Sequence, residues 1–281
     1  MNKKGKLYLV ATPIGNLDDI TIRAIKVLQN VDLIAAEDTR HSLKLLNHLE
    51  ISKPLISYHR HNEENKTEVL INKLLNGENI ALITDAGTPA ISDPGEEVVK
   101  QAIEKEIEII PIPGACALIN ALICSGINTR EFAFYGFLPL NKKLRKNKFE
   151  EIKKENKTII LYEAPHKINQ TLKDILQEVG DVNIVLAREL TKIHEEFIRG
   201  KISEIIEKYT DLKGEMIIVL EGNKFDNSTD KLTELLNNMS IEEHYNYYKK
   251  QNLEKKERVK KMAKDRNVNK NEIYMKVINF N

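Results

Sequence analysis

Cysteine is scarce in this chain. The two that occur, Cys116 and Cys124, lie in one apolar, helix-like run. A disulfide framework is therefore not expected, and a reducing compartment is. Long apolar runs are missing too. No stretch approaches the ~20 residues a helix needs to cross a bilayer. The opening MNKKGKLYLVATPIG joins a charged start to a short apolar run, which reads as a strand rather than a signal peptide. A soluble, cytoplasmic protein without membrane contact is expected. Charge of one sign is also lacking. Charged residues make up 30% of the chain, yet the net charge is +1, so no global field marks an acidic or basic protein. No internal repeat is found. At 281 residues the chain has room for two domains and a well-buried core.

What is present is alternation. Short β-branched runs, KLYLV (6–10), DLIAA (32–36), PLIS (54–57), NIALIT (79–84) and EIIPI (108–112), are separated by segments of helical period such as TIRAIKVLQN and EEVVKQAIEKE. Strand and helix repeated over about 120 residues predict βαβ units and a mainly parallel sheet. EFAFYGFLP (131–139), TIILYE, VNIVLARE, HEEFIRG and EMIIVLEG then predict the strands of a second α/β domain. Between the first two lies NKKLRKNKFEEIKKENK (141–157), eight Lys or Arg against three Glu. A polar linker, NKFDNSTD, leads to a tail in which twelve Lys and Arg face eight Asp and Glu, a net of +4 that leaves −3 for the rest. Ser240 to Glu243 spells a capping box. The expected organisation is an N-terminal α/β domain over 1–123, a second α/β domain over 124–223 and a small basic helical domain over 229–281.

Three Gly/Pro-rich loops fall at predicted strand ends: ATPIGNLDD (11–19), TDAGTPAISDPG (84–95) and PIPGACA (111–117). In open parallel sheets ligands bind beyond the carboxyl ends of the strands. Glycine permits close approach of backbone to ligand, and small residues after Gly114 leave helix-start amides free for an anionic or ribose oxygen. Neither G-x-x-x-x-G-K-[ST] nor G-x-G-x-x-G occurs, which excludes those phosphate and dinucleotide fingerprints. The residues alone predict a cradle for a small polar ligand and leave it unnamed.

The motifs LYLVATPIGNLDDITIRAIKVLQNVDLIAAEDTR, YHRHNE, ALITDAGTPAISDPG, PIPGACALINAL, FYGFLP, LYEAPHK, LARELTKIHEEFIRG and KGEMIIVLEG occur in that order. Over residues 6–223 they closely resemble the small-subunit ribosomal RNA methyltransferase I family of the tetrapyrrole-methylase superfamily. That resemblance implies two α/β domains with S-adenosylmethionine bound in the cleft between them. It also implies 2′-O-methylation of a decoding-centre cytidine in 16S rRNA of the small ribosomal subunit, and a homodimer. It assigns Asp85, Ala86, Gly87, Thr88, Pro89 and Ile91 to the donor-binding turn. Gly114, Cys116 and Ala117 would lie beside the adenosyl group, Ile14 and Gly15 would form the cleft floor, and Tyr162 and Glu163 would close over it. Cys116 reads as a small buried residue, since transfer from a sulfonium needs no covalent enzyme intermediate.

Methylating a 2′-hydroxyl requires in-line attack and removal of its proton, for which a general base adds ~10²–10⁴-fold. Glu37 in AAEDTRH aligns with an acid found in some tetrapyrrole methylases. Glu37 or Asp38 pairing with Arg40, or capping the next helix, is the competing reading. Glu189 and a lysine of lowered pKa, Lys192, are further candidates, and the choice among the three stays open. Arg40, His59, His61, Lys142, Lys143, Arg145 and Lys146 are candidate RNA contacts, against the alternative that the lysines form a solvated helix face. His59-Arg60-His61 has no evident third ligand, and no metal is expected. Two other functions compete: methylation of a small molecule or a protein side chain on the same fold, and non-catalytic RNA binding. The EDTR and RELTK motifs and the basic helices argue against the first; the intact glycine loops argue against the second.

Overall fold

A computed structural model describes residues 3–209, 212–222, 235–251, 253–266, 268–278 and 280. It divides into two compact units, Met1–Gly222 and Asn223–Asn281. The predicted linker, 223–230, lies outside the described residues.

The first unit begins with β1 (Lys6–Val10), α1 (Ile22–Asn30), β2 (Leu33–Ala36), α2 (Thr39–His48), β3 (Leu55–Ser57), α3 (Glu63–Leu75), β4 (Ile80–Ile83), α4 (Glu96–Glu104), β5 (Glu108–Ile112) and α5 (Ala117–Ile123). The five strands form a wholly parallel sheet in the order β3-β2-β4-β1-β5. Every residue of β4 is buried. Ile80 and Leu82 face one core with Leu70 of α3 and Val98 of α4; Ala81 and Ile83 face another with Leu28 of α1 and Leu46 of α2. A strand covered on both faces needs a continuous apolar run, which is what IALI supplies.

The second sheet is built from β6 (Phe132–Phe137), β7 (Thr158–Glu163), β8 (Asn183–Arg188), β9 (Glu196–Lys201) and β10 (Met216–Leu220), with α6 (Lys142–Ile152), α7 (Ile168–Glu178) and α8 (Ile202–Lys208) between them. Its order is β6-β7-β10-β8-β9. Only β6 and β7 run parallel; the other pairings are antiparallel. One face packs on α6, α7 and α8. The other is covered by α5, whose Leu118, Ala121 and Leu122 are buried against Ile160, Val185 and Ile217. That helix follows a strand of the first sheet yet completes the core of the second.

The second unit includes α9 (Ile241–Lys250), α10 (Lys255–Asp265) and α11 (Lys270–Val277), packed around Val259, Met262 and Ile273. The capping box is present: Ser240 Oγ accepts from the Glu243 amide, and the Glu243 carboxylate accepts from the Ser240 amide. Tyr245 and Tyr248 are 1% and 8% exposed, and the Tyr248 hydroxyl donates to Asp265 at 2.6 Å. Among the described residues no helix is long and apolar enough to cross a membrane.

Candidate active site

Strands β4, β1 and β5 are neighbours, so the three Gly/Pro-rich loops emerge side by side at one sheet edge. They are laced together. Thr12 and Gly87 exchange both backbone hydrogen bonds, at 2.9 and 3.0 Å. Thr12 Oγ1 donates to the Thr84 carbonyl, and Thr88 Oγ1 to the Ala115 carbonyl. Gly87 sits at φ +81°, and a Cβ there would lie 3.2 Å from Ile14 Cγ2. A side chain at 87 would therefore distort the turn and press on the first loop.

Above these loops lies a cavity of about 400 Å³, the size of a small-molecule site. The first sheet contributes Ile14, Ala86, Gly87, Thr88 and Ile91, followed by Cys116 and Ala117 at the start of α5. The second contributes Tyr162 and Glu163. Nine predicted donor-site residues thus share one cavity. Ala86, Gly87, Thr88, Cys116 and Ala117 are small, so there the backbone comes within reach of a ligand, and the cavity fits an extended, partly apolar molecule.

Four predicted residues stand behind the wall. Asp85 accepts the Asp38 amide at 3.1 Å. Pro89 is buried. A Cβ at Gly114 would lie 2.9 Å from Ala11 Cβ. Gly15 packs on the turn after β8; a Cβ there would meet Leu190 O at 2.9 Å and Lys192 Cγ at 2.6 Å. It is a contact point between the two sheets rather than an open floor.

The cavity also has walls that the sequence reading passed over. Ser92 and Asp93 come from the long loop, Phe137 from β6, Ala164 and Pro165 from the turn after β7. Ala187, Leu190, Glu215 and Met216 come from the ends of β8 and β10. Tyr162 contacts both Phe134 and Phe137 edge-on, with centroids 4.9 and 5.6 Å apart. Burial pushes its phenol up to about 12, and the Leu118 amide donates to it.

The candidate bases separate clearly. Asp38 caps α2, accepting the Arg40 amide at 2.8 Å, and pairs with the Arg40 guanidinium at 2.7 Å. Its carboxyl is driven far below the usual range by that guanidinium. Arg40 is thus engaged with its own neighbour. Glu37 is left out of this pair. Burial, then the charge of Asp85, raises its carboxyl, although the Asp85 amide donates to it. Lys192 is clamped between Glu189 at 3.2 Å and Glu215 at 3.0 Å. Burial pulls the ammonium down, but the bonds to Glu215 and Glu189 outweigh it and raise its pKa. That is the reverse of the lowered pKa a lysine base requires. Burial likewise opposes the Glu189 carboxylate, but the Glu215 amide and Lys192 hold it below the ordinary range. Glu189 itself adopts φ +50°. The three residues brace a turn.

The RNA-contact candidates separate as well. His61 is exposed, while the His59 ring faces the Asn62 amide and its Nδ1 is buried without a partner. Arg60, between them, reaches the Ser92 carbonyl. Lys142, Lys143 and Lys146 are exposed on α6. Arg145 is not: it bonds Asp174 at 2.9 Å and Thr171 at 2.8 Å. Thr171 in turn donates to the Glu163 carboxylate at 2.6 Å. Arg145 therefore supports the cavity wall from behind instead of facing solvent. Among the described residues, no group of three or more His, Cys, Asp or Glu side chains is arranged to hold a metal ion.

Residues 6–206 match the family described as Tetrapyrrole (Corrin/Porphyrin) Methylases. The chain belongs to the tetrapyrrole methylase family. Within that family, the ribosomal RNA small subunit methyltransferase I of Halalkalibacterium halodurans is 47% identical over 273 residues, covering 96% of this chain and 94% of the relative. The one from Bacillus subtilis is 47% identical over 272 residues, covering 96% and 93%. Among solved structures, the uroporphyrin-III-C-methyltransferase of Thermus thermophilus superposes with a TM-score of 0.54 at 19% identity, over 77% of this chain and 94% of that one. This tetrapyrrole methylase thus keeps the two-sheet fold at low identity and adds a helical extension beyond the matched region.

Proposed function

We propose that this tetrapyrrole methylase uses S-adenosylmethionine to methylate the ribose 2′-oxygen of a cytidine in 16S rRNA. The observation that carries it is the cavity at the ends of β4, β1 and β5, in a chain 47% identical across 96% of its length to an enzyme named as a ribosomal RNA small subunit methyltransferase. When bound, the donor supplies an electrophilic methyl group on a sulfonium. The residues that would hold it are the backbone of Ala86, Gly87 and Thr88, the side chain of Ile91, the Cys116–Ala117 pair and Tyr162. Gly87 leaves open the space a Cβ would fill. The chain's further task is to align the 2′-hydroxyl and accept its proton.

The acceptor in this reading is RNA within the small subunit, approached through local basic patches because the chain's net charge is only +1. Lys142, Lys143 and Lys146 form one such patch, beginning five residues beyond the cavity-lining Phe137. A homodimer in the cytoplasm belongs to the same reading. The test is methylation of small subunits lacking the modification, with labelled donor, followed by mapping of the product. Label on one ribose 2′-oxygen is expected. Label on a base would overturn the reaction assigned.

A further inference from the structure

A 2′-O-methyltransferase needs a proton acceptor in contact with the acceptor hydroxyl, and most acids around the cavity are already occupied. The Glu163 carboxylate accepts from Thr171 and from the Ala164 amide. Glu215 is paired with Lys192. Asp85 accepts from the Asp38 amide, and neither Asp85 nor Glu37 lines the cavity. Asp93 does line it. Among the described residues nothing donates a hydrogen bond to its carboxylate or forms an ion pair with it.

The chain holds Asp93 there by unusual means. Its neighbours Ala90 and Ser92 adopt φ +66° and +65°, each a left-handed conformation that costs a non-glycine residue about 1–2 kcal/mol. Arg60 grips the Ser92 carbonyl from the β3–α3 turn. The Tyr58 hydroxyl donates to Glu63, whose carboxylate also accepts the Gly95 amide at 3.0 Å and anchors the end of the loop. From the second sheet, a Cβ at Gly136 would lie 3.3 Å from Ser92 Oγ, so glycine there lets the loop seat against the β6 bulge. Arg60 from the first sheet's side and Gly136 from the second thus meet at Ser92, and Ser92 and Asp93 both line the cavity.

We propose, resting on the methylation reading above, that Asp93 is the general base for the 2′-hydroxyl. As the 2′-oxygen bonds to the methyl carbon, the carbon–sulfur bond breaks, its electron pair stays on sulfur, and the hydroxyl proton passes to the Asp93 carboxylate. Burial pushes this carboxyl up to about 7; Glu37 adds to the rise, Arg60 opposes it and Asp85 adds again. A base poised there is half ionised at neutral pH and still strong enough to accept a proton. The charged groups facing it are Glu37 just after β2, Asp85 from the loop after β4 and Arg60 from the β3–α3 turn, with the Tyr162 phenol opposite. Glu37 is a positioning residue: its negative charge keeps Asp93 basic.

The test is single-turnover methylation of small subunits from pH 5.5 to 8.5 by wild type, Asp93→Asn and Glu37→Gln, with the probe range set around the value of about 7. Donor affinity by calorimetry and a carboxyl ¹³C NMR titration of each protein run beside it. Wild type should show a rate rising with pH through a limb at or below 7, since a sulfonium beside the carboxylate favours ionisation. Asp93→Asn should bind donor normally, lose the limb and fall ~10²–10⁴-fold, and its spectra should lack a carboxyl titrating near neutrality. Glu37→Gln should keep the limb but shift it to lower pH, because a like charge has been removed. An Asp93→Asn enzyme that retains rate and limb overturns the assignment, as does one that loses donor binding. Loss of the limb in Glu37→Gln with Asp93→Asn unaffected would return the role to Glu37. Wild type that labels no ribose overturns the methylation reading itself, and this inference with it.

Discussion

Single residues decide which backbone shapes this cavity tolerates. At Gly87 a left-handed turn and a near contact with Ile14 coincide. Gly87→Ala imposes about 1–2 kcal/mol of backbone strain. A turn that relaxes out of shape to relieve it should weaken donor binding roughly tenfold, and Gly87→Val should weaken it further. Calorimetry with S-adenosylmethionine checks this. Unchanged affinity in both variants would remove the turn from the site. Gly87 was legible because a glycine between two loop residues asks for an explanation. Asp93 was not, because Ser-Asp-Pro-Gly is also ordinary turn chemistry. Only the meeting of Arg60, Gly136 and the strained Ser92 gives its carboxylate a purpose.

At the scale of elements, α6 carries two kinds of cation that sequence alone cannot tell apart. Lys142, Lys143 and Lys146 are exposed, while Arg145 is tied to Asp174 and Thr171. Replacing the three lysines with alanine should reduce the slope of log affinity for small subunits against log salt by about 2–3. Arg145→Ala should leave that slope alone and cost about 1–3 kcal/mol of stability through the stranded Asp174. Salt titrations and denaturant melts of both variants separate the two. The same ambiguity holds in α9. Tyr245 and Tyr248 are three positions apart, a spacing that suits a stacking face and a buried face equally, and they are buried. Beside them His244 is buried, its Nδ1 accepting from Arg266 at 3.0 Å and its other nitrogen facing Asp265 at 3.2 Å. Burial lowers its pKa and Arg266 adds to the effect, while Asp265 opposes it. The unfolded histidine, near 6.5, then binds protons that the folded one refuses. The stability this contributes is full above about 6.5 and is lost as pH falls below that towards the lowered folded value. Hydrogen-exchange protection of α9–α11 in the intact chain, corrected for intrinsic rates, should therefore drop between pH 7.5 and 5.5 relative to the first unit. A His244→Asn chain that shows the same drop would remove the histidine as its cause.

Across the whole molecule, most strands of both sheets were legible because they are short apolar runs bounded by turn residues. Their order was not. That β4, β1 and β5 are neighbours is a fact of long-range pairing, and it is what gathers three separate loops into one site. The reach of Glu215 to Lys192 is equally non-local. Charge, by contrast, is readable at this scale without coordinates. The tail from 229 onward carries +4 and leaves −3 for the remainder. Removing residues 229–281 should leave donor affinity unchanged, because every cavity-lining residue precedes them. It should lower affinity for the small subunit and flatten its salt dependence. Subunit binding at several salt concentrations, with oligomeric state measured in parallel, tests this; an unchanged slope would leave α6 as the sole RNA-facing element proposed.

The helix α5 has one further consequence. Its seven residues are too few to hold a helix alone, where about 12–15 are marginal. Its apolar side packs on the second sheet, to which only residues 124–131 tie it, while β5 before it belongs to the first. Split between Ile123 and Phe132, the chain would yield one fragment bearing a plug and another bearing its socket. Neither fragment would carry a complete interior, and each would recruit the other. Because Cys116 and Ala117 sit at the mouth of that plug, capture of the methyl donor would report that the two pieces had found each other.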